Sequence, residues 1–358
     1  MILHTLEISH DQLKSRMGWE IKPQGACKAE VCIPLPSPVL TTTGFIDVSK
    51  LAERLRMPLV HDQAAGLWVL GPEGGAKALT TAVAPDFELP DWQGQPFRLS
   101  SLRGKKVLLV AWASWWGCRF DLPVWQALRE ELYPQGLEIV TVALDTLGTE
   151  VARPFIEAAK TTHPALIDEA HLLDELFGIV NVPSGVWIDE EGMIVRPAEY
   201  AGVTRGERRA HPIPEGASPY TIQAITELNK LIEVGNERKD GDKYIPAVRD
   251  WVANGANSRY VLSPDEVLQH SRPRPLEEAV AAAHFELGQH LYRSGQIDLA
   301  ITHFKEAHHL QPDNWTYKRQ AWSMADPTQG PSDIYEGSWA SEVRKMGAEN
   351  YYQPLDMN

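Results

Sequence analysis

Val110-Ala-Trp-Ala-Ser-Trp-Trp-Gly-Cys-Arg-Phe-Asp-Leu-Pro123 decides how this chain is read. The apolar run from Val107 to Trp112 reads as a strand, followed by a tight turn and then by a helix carrying Cys118 in its first turn. Unpaired N–H groups and the dipole at a helix start stabilise an anion, so a cysteine there is expected to ionise readily and to react. Exchange by a local dithiol needs a second sulfur at a fixed offset. This turn holds one sulfur.

The flanking sequence carries further signals in a fixed order: Ala84-Pro-Asp-Phe-Glu-Leu-Pro90, Leu99-Ser-Ser-Leu-Arg-Gly-Lys-Lys106, Phe177-Gly-Ile-Val-Asn-Val-Pro-Ser184, the strand Gly185-Val-Trp-Ile-Asp189 and the turn Glu190-Glu-Gly192. Together with the turn, these resemble the thioredoxin-like redoxins, in particular the TlpA/ResA group of thiol-disulfide oxidoreductases, over about residues 84 to 205. The family pattern is W-C-G-P-C-R with a proline five residues beyond the second cysteine. Counted back from Pro123, Cys118 falls on that second cysteine. Counted forward from Trp112-Ala-Ser-Trp115, Trp116 falls on the first, nucleophilic cysteine and Gly117 on the glycine, while the family's proline is absent. One missing residue moves a helical position by about 1.5 Å and about 100°, so Cys118 at either position is compatible with the sequence.

The resemblance implies a cis Val182–Pro183 bond that sets the Val182 backbone beside Cys118, where an incoming substrate strand pairs. It makes Trp115, Gly117, Val182 and Pro183 the candidate substrate-binding residues. Cys118, Arg119 and Trp116 are the candidate catalytic ones, with Arg119 holding the thiolate charged. Val110 sits where many thioredoxins carry a buried acid. A peroxidase reading suffers because Trp115 occupies the Thr place of T-x-x-C.

Composition limits the remaining classes. A chain of 358 residues with 34 Lys and Arg against 48 Asp and Glu, net charge −14, suits neither a broad nucleic-acid surface nor an anionic membrane. Met1 to His10 lacks a basic start and an apolar core, and no run approaches the roughly 18 apolar residues of a membrane span. Three cysteines fit a reducing compartment. The expectation is a cytoplasmic protein with no cofactor.

Residues 1–80 read as a small α+β module. His10 to Met17 is a short helix closed by Gly18, Trp19 to Leu35 holds two strands around Gln24-Gly25, and Asp47 caps a helix through Met57. Pro58–His61 and Leu67–Leu70 make a hairpin, and Gly71 to Ala82 a linker. Beyond it, residues 84–236 form the redoxin domain, including a helix from Ser218 with Ile222, Ile225, Leu228 and Leu231/Ile232 inward. Residues 237–262 are a helical connector, 263–326 tetratricopeptide-like helices and 327–358 a tail wrapping over a neighbouring surface. Ala281 to Asn314 resembles one 34-residue tetratricopeptide repeat, through Leu287, Gly288, Leu291, Gly295, Ala300, Phe304, Ala307 and Pro312. A single repeat leaves its faces uncovered, so it should pack on the redoxin domain, on flanking helices or on a second subunit as a homodimer. His284, His290, His303, His308 and His309 read as solvated helix residues. The fold class is therefore an α/β thioredoxin-like fold with a small α+β N-terminal module and an all-α, tetratricopeptide-like C-terminal region.

Three functions fit. The first is thiol chemistry at Cys118 on a thiol, disulfide or protein substrate, resolved by Cys27, Cys32 or an external thiol. The second is a degenerate redoxin serving as a scaffold, its helices docking a protein partner. The third is a soft-metal or metalloid site built from Cys27, Cys32 and Cys118, although structural zinc normally takes four ligands.

Overall fold

The computed structural model describes all residues except 29–30, 36–38, 204–209, 238–240, 328, 330–331 and 358. Leu231 and parts of the expected loop after Thr204 and of the charged connector lie outside the described residues or side chains. The chain groups into two units: Met1–Thr80 with Arg272–Tyr317, and Thr81–Ser271 with Lys318–Asn358.

The second unit is built on a five-stranded sheet. Its strands are β1 (Lys106–Trp112), β2 (Leu137–Leu144), β3 (Ala165–Asp168), β4 (Ser184–Ile188) and β5 (Ile194–Tyr200), in spatial order β3-β2-β1-β4-β5. β1 runs parallel to β2 and antiparallel to β4, with Val110 opposite both Thr141 and Gly185. Every residue of β1, β2 and β4 is buried, which explains why these strands are mostly apolar on both faces instead of alternating, with Lys106, Glu138, Thr141 and Ser184 as the polar exceptions. Helix α1 (Leu122–Leu132) follows β1, with Pro123 in its first turn, where a missing N–H costs nothing. α2 (Thr149–Ala158) and α3 (Leu172–Phe177) connect the next strands.

Beyond the sheet, helix Pro219–Glu237 begins where the Ser218-Pro219 signal put it, but Ile222 is exposed, not inward. Helix Gly241–Asn254 packs Tyr244 and Trp251 against the sheet residue Trp187. The Trp187 and Trp251 rings stack at 4.9 Å, and Trp187 Nε1 donates to the Tyr244 hydroxyl at 2.9 Å. The C-terminal segment lies on this same unit. Helix Trp339–Met346, started by a Ser338/Ser341 capping box, leads to a tail in which Tyr351, Leu355 and Met357 are buried.

In the first unit, Ser9 caps helix His10–Met17, Gly18 closes it in the left-handed conformation, and Asp47 caps helix Val48–Leu55. Met57 lies beyond that helix but is buried. Leu59–Asp62 and Leu67–Leu70 form the expected hairpin. The Trp19–Leu35 stretch makes three strands where two were expected, Glu20–Lys22, Gly25–Lys28 and Val31–Ile33, with Gly25 opening a strand.

The tetratricopeptide hairpin pairs Leu276–Arg293 with Ile297–Leu310. Gly288 is required there, since a Cβ at this position would sit 2.7 Å from the Phe304 ring. This hairpin packs on the N-terminal module, with which it forms one unit. The Met1 ammonium pairs with Glu286, and Asp62 accepts from His303 Nε2 at 2.8 Å. His303 is therefore buried rather than solvated, and its Nδ1 lies 2.8 Å from that of His284. The Gly71–Ala82 stretch is not a plain linker. Gly71 and Gly74 pack closely on helix Leu276–Arg293, and Ala76–Lys77 pairs with Pro273–Arg274.

Candidate functional site

Cys118 follows the turn after β1. Residues Gly117–Asp121 form a 3-10 turn, and the α-helix begins only at Leu122. The 3-10 turn runs directly into that α-helix, so Cys118 lies in the first, 3-10 turn of the helical run. Its side chain is buried, 1% exposed, with Sγ directed at the Ala113 carbonyl at 3.9 Å. Arg119 follows Cys118 in the same turn. Its guanidinium donates to the Ser114 carbonyl at 2.7 Å and lies over the Phe120 and Phe155 rings at 4.7 and 5.2 Å.

The Val182–Pro183 bond is cis, as the resemblance implied. The Val182 carbonyl is already engaged, because the Tyr352 hydroxyl donates to it at 3.0 Å. That same hydroxyl accepts from Trp116 Nε1 at 2.6 Å. Tyr352 therefore bridges Trp116 and the Val182 backbone, and its ring rests on Tyr200 at 4.1 Å. Enclosure of the phenol end, with Tyr351, Tyr200 and Cys118 nearby, pushes its pKa well above the usual range, so the hydroxyl stays protonated and can donate.

Around this bridge the C-terminal segment builds an aromatic cap. The Arg319 guanidinium lies 3.6 Å from the Trp116 ring, 4.9 Å from Trp339 and 5.4 Å from Trp115. It donates to Gln329 Oε1 at 2.7 Å and to the Tyr351 hydroxyl at 3.1 Å. The Trp116 ring meets Trp339 at 5.0 Å and Tyr351 at 6.0 Å, and Asn181 Nδ2 donates to the Tyr351 carbonyl at 3.0 Å. Trp115 turns the other way. Its Nε1 reaches the Leu144 carbonyl at 3.2 Å and Gln320 Oε1 at 3.1 Å. Gly117, at the start of the 3-10 turn, is half-buried.

The missing acid of β1 has a counterpart one strand away. Asp145, just past the end of β2, accepts from the Ser114 N–H at 2.9 Å and hydroxyl at 2.7 Å. Burial pushes its pKa up to about 7, against the opposing pull of Ser114, His171 and Arg119. Asp168, raised by burial to about 6, accepts from the Leu172 and Leu173 N–H groups that open α3. His171 lies 3.3 Å from Asp174 and from Gln320 Oε1, and its carboxylate neighbours raise its pKa against burial. Neither this cluster nor the residues of the cap stand out in the sequence, beyond a tail expected to wrap over a surface. An acid directly after an eight-residue apolar strand was the one available signal for Asp145.

Cys27 and Cys32 are directly opposite on neighbouring strands and are joined by a disulfide. They are thus neither free resolving thiols nor thiolate ligands, and the proposed three-thiolate metal site loses two of its donors. Among the described residues no group of three or more His, Cys, Asp or Glu is arranged to hold a metal, and no helix is long and apolar enough to cross a membrane.

Residues 80–196 match the AhpC/TSA family model, and residues 281–314 match a tetratricopeptide repeat. The chain carries an AhpC/TSA thioredoxin-like domain. This AhpC/TSA domain is similar to the thioredoxin-like protein YneN of Bacillus subtilis, 32% identical over 31% of this chain and 66% of that protein. It is also similar to the thiol-disulfide oxidoreductase ResA of Geobacillus thermodenitrificans, 33% identical over 32% of this chain and 65% of that protein. The chain spans 65% of the length of the first curated relatives it matches. A solved structure, a putative thiol:disulfide interchange protein DsbE from Chlorobium tepidum, is 30% identical over 34% of this chain and 82% of that one, with a TM-score of 0.29. By the family match and these curated relatives, the domain is thiol-disulfide oxidoreductase-like and of the thioredoxin superfamily.

Proposed function

We propose that this thioredoxin-superfamily domain has exchanged dithiol chemistry for peptide recognition, and that the protein acts as a binding module. The observation that carries this reading is the Tyr352 hydroxyl, held between Trp116 Nε1 and the Val182 carbonyl. By the resemblance, Trp116 stands where the nucleophilic sulfur belongs, and it contributes an N–H donor there instead. Cys118 is buried, and the chain's two other cysteines are bonded to each other. Exchange through Cys118 would need both an opened cap and an external resolving thiol. The tetratricopeptide repeat supports a protein partner in addition to the groove's ligand. The Cys27–Cys32 disulfide supports an oxidising compartment over the reducing one that the cysteine count suggested.

Dithiothreitol-driven reduction of a disulfide substrate, followed for the full chain and for Cys118→Ser, tests the proposal. Equal rates for both, at the uncatalysed background, are expected. Turnover by the wild type that Cys118→Ser abolishes would overturn it.

A further inference from the structure

We infer that the groove between Trp116 and the Val182 carbonyl is a tyrosine-reading peptide site, whose partner is an extended protein segment carrying an aromatic residue followed by tyrosine. This inference rests on the binding-module reading and adds the ligand's chemistry to it. The chain's own tail shows what the groove accepts. The groove offers one donor, Trp116 Nε1, and one acceptor, the Val182 carbonyl, and a single hydroxyl satisfies both at 2.6 and 3.0 Å. A phenol can donate and accept at once, whereas phenylalanine would leave both groups unpaired, and serine or threonine lacks the reach.

The ring of that tyrosine packs on Tyr200 at the end of β5. The preceding residue is read twice more. Asn181 Nδ2 takes its main-chain carbonyl at 3.0 Å, which any residue supplies, and Arg319 donates to its hydroxyl at 3.1 Å while its ring meets Trp116 and Trp339. An aromatic side chain is thus favoured at the first position and a tyrosine is required at the second. The tail holds the site as an intramolecular ligand at high effective concentration, so a partner segment must displace it.

The test uses the full chain carrying Tyr351→Ala and Tyr352→Ala, which vacates the groove, and a labelled peptide with the sequence of residues 348–358 followed by fluorescence anisotropy. The vacated chain should bind this peptide. A peptide with phenylalanine at the position of Tyr352 should bind about tenfold more weakly, as loss of a phenol bonded on both sides requires. The full chain with Tyr352→Phe alone keeps the ring and guards against misfolding of the double variant. It should bind the tyrosine peptide more tightly than the wild-type chain does. Absence of peptide binding by both variants, or equal affinity for the tyrosine and phenylalanine peptides, would overturn the inference. Cys118-dependent turnover alongside intact tyrosine selectivity would sink the loss of exchange while leaving this site standing.

Discussion

The chain keeps its three cysteines in two regions that differ in almost every physical respect. In the turn after β1 a single thiol is buried near Tyr352 of the C-terminal segment, with its sulfur directed at the Ala113 carbonyl. In the strand pair Gly25–Lys28 and Val31–Ile33, two cysteines face each other in register and are joined, with Cys27 buried and Cys32 exposed. The fold that relatives use for thiol chemistry holds the sheltered sulfur, and a small β-hairpin of the other unit holds the oxidised pair. A thioredoxin-like sheet therefore supplies a groove and a cis-proline loop, but redox activity depends on which side chains occupy two positions of one turn.

The widest contrast concerns reduction. A millimolar dithiol should open Cys27–Cys32 in the native protein because Cys32 is reachable, while Cys118 stays unlabelled by iodoacetamide about 100-fold longer than in denaturant, since local opening must come first. Equal labelling of all three cysteines in the native state would erase the distinction between the regions.

Stability against pH separates them next. Asp145 and Asp168 have raised pKa values of about 7 and 6, so the folded state binds more protons than the unfolded one above the ordinary carboxylate range near pH 4. Their contribution is fully present below pH 4 and is lost as pH rises toward 7. His171, also raised, adds loss in the same direction above its ordinary value of 6.5. Asp145→Asn should flatten this decline by on the order of 2 kcal/mol between pH 4 and 7, measured by urea unfolding. An unchanged slope would show that Asp145 ionises normally.

In the first unit, Gly288→Ala should cost about 1–3 kcal/mol, because the added methyl meets the Phe304 ring at 2.7 Å and the two helices must part. Thermal unfolding checks this, and the Cys118 labelling rate should not change. The smallest expected effect belongs to Tyr352→Phe, about 1 kcal/mol of stability from the unpaired Trp116 N–H and Val182 carbonyl, read by the same unfolding measurement. A neutral result would mean water replaces the phenol without loss.

Much of the fold was legible because continuous apolar strands, Pro123 at a helix start and the Gly288–Phe304 pair are local or periodic signals. The candidate site was half legible. The offset between Trp116 and Pro123 showed that a cysteine was replaced, and the tail beyond Pro327 was expected to wrap over a surface. That Tyr352 lies against Trp116, 236 residues away in the chain, is not written in any short-range pattern. The burial of Cys118 is likewise not written in the local pattern. The helical run opens as a 3-10 turn at Gly117 that continues into the α-helix at Leu122, with Cys118 in that first turn and its sulfur directed inward. Asp145 and Gln320 were missed because their roles come from convergence on Ser114, Trp115 and His171, not from sequence spacing.

The most direct test compares the rate of Cys118 alkylation, resolved by mass spectrometry, in the native wild type and in the full chain with Tyr351→Ala and Tyr352→Ala. A rise of about tenfold or more in the variant, without any gain in disulfide-reductase turnover, is what a capped, non-exchanging thiol predicts. Fast alkylation of Cys118 in the wild type, matching an unfolded control, would contradict the account.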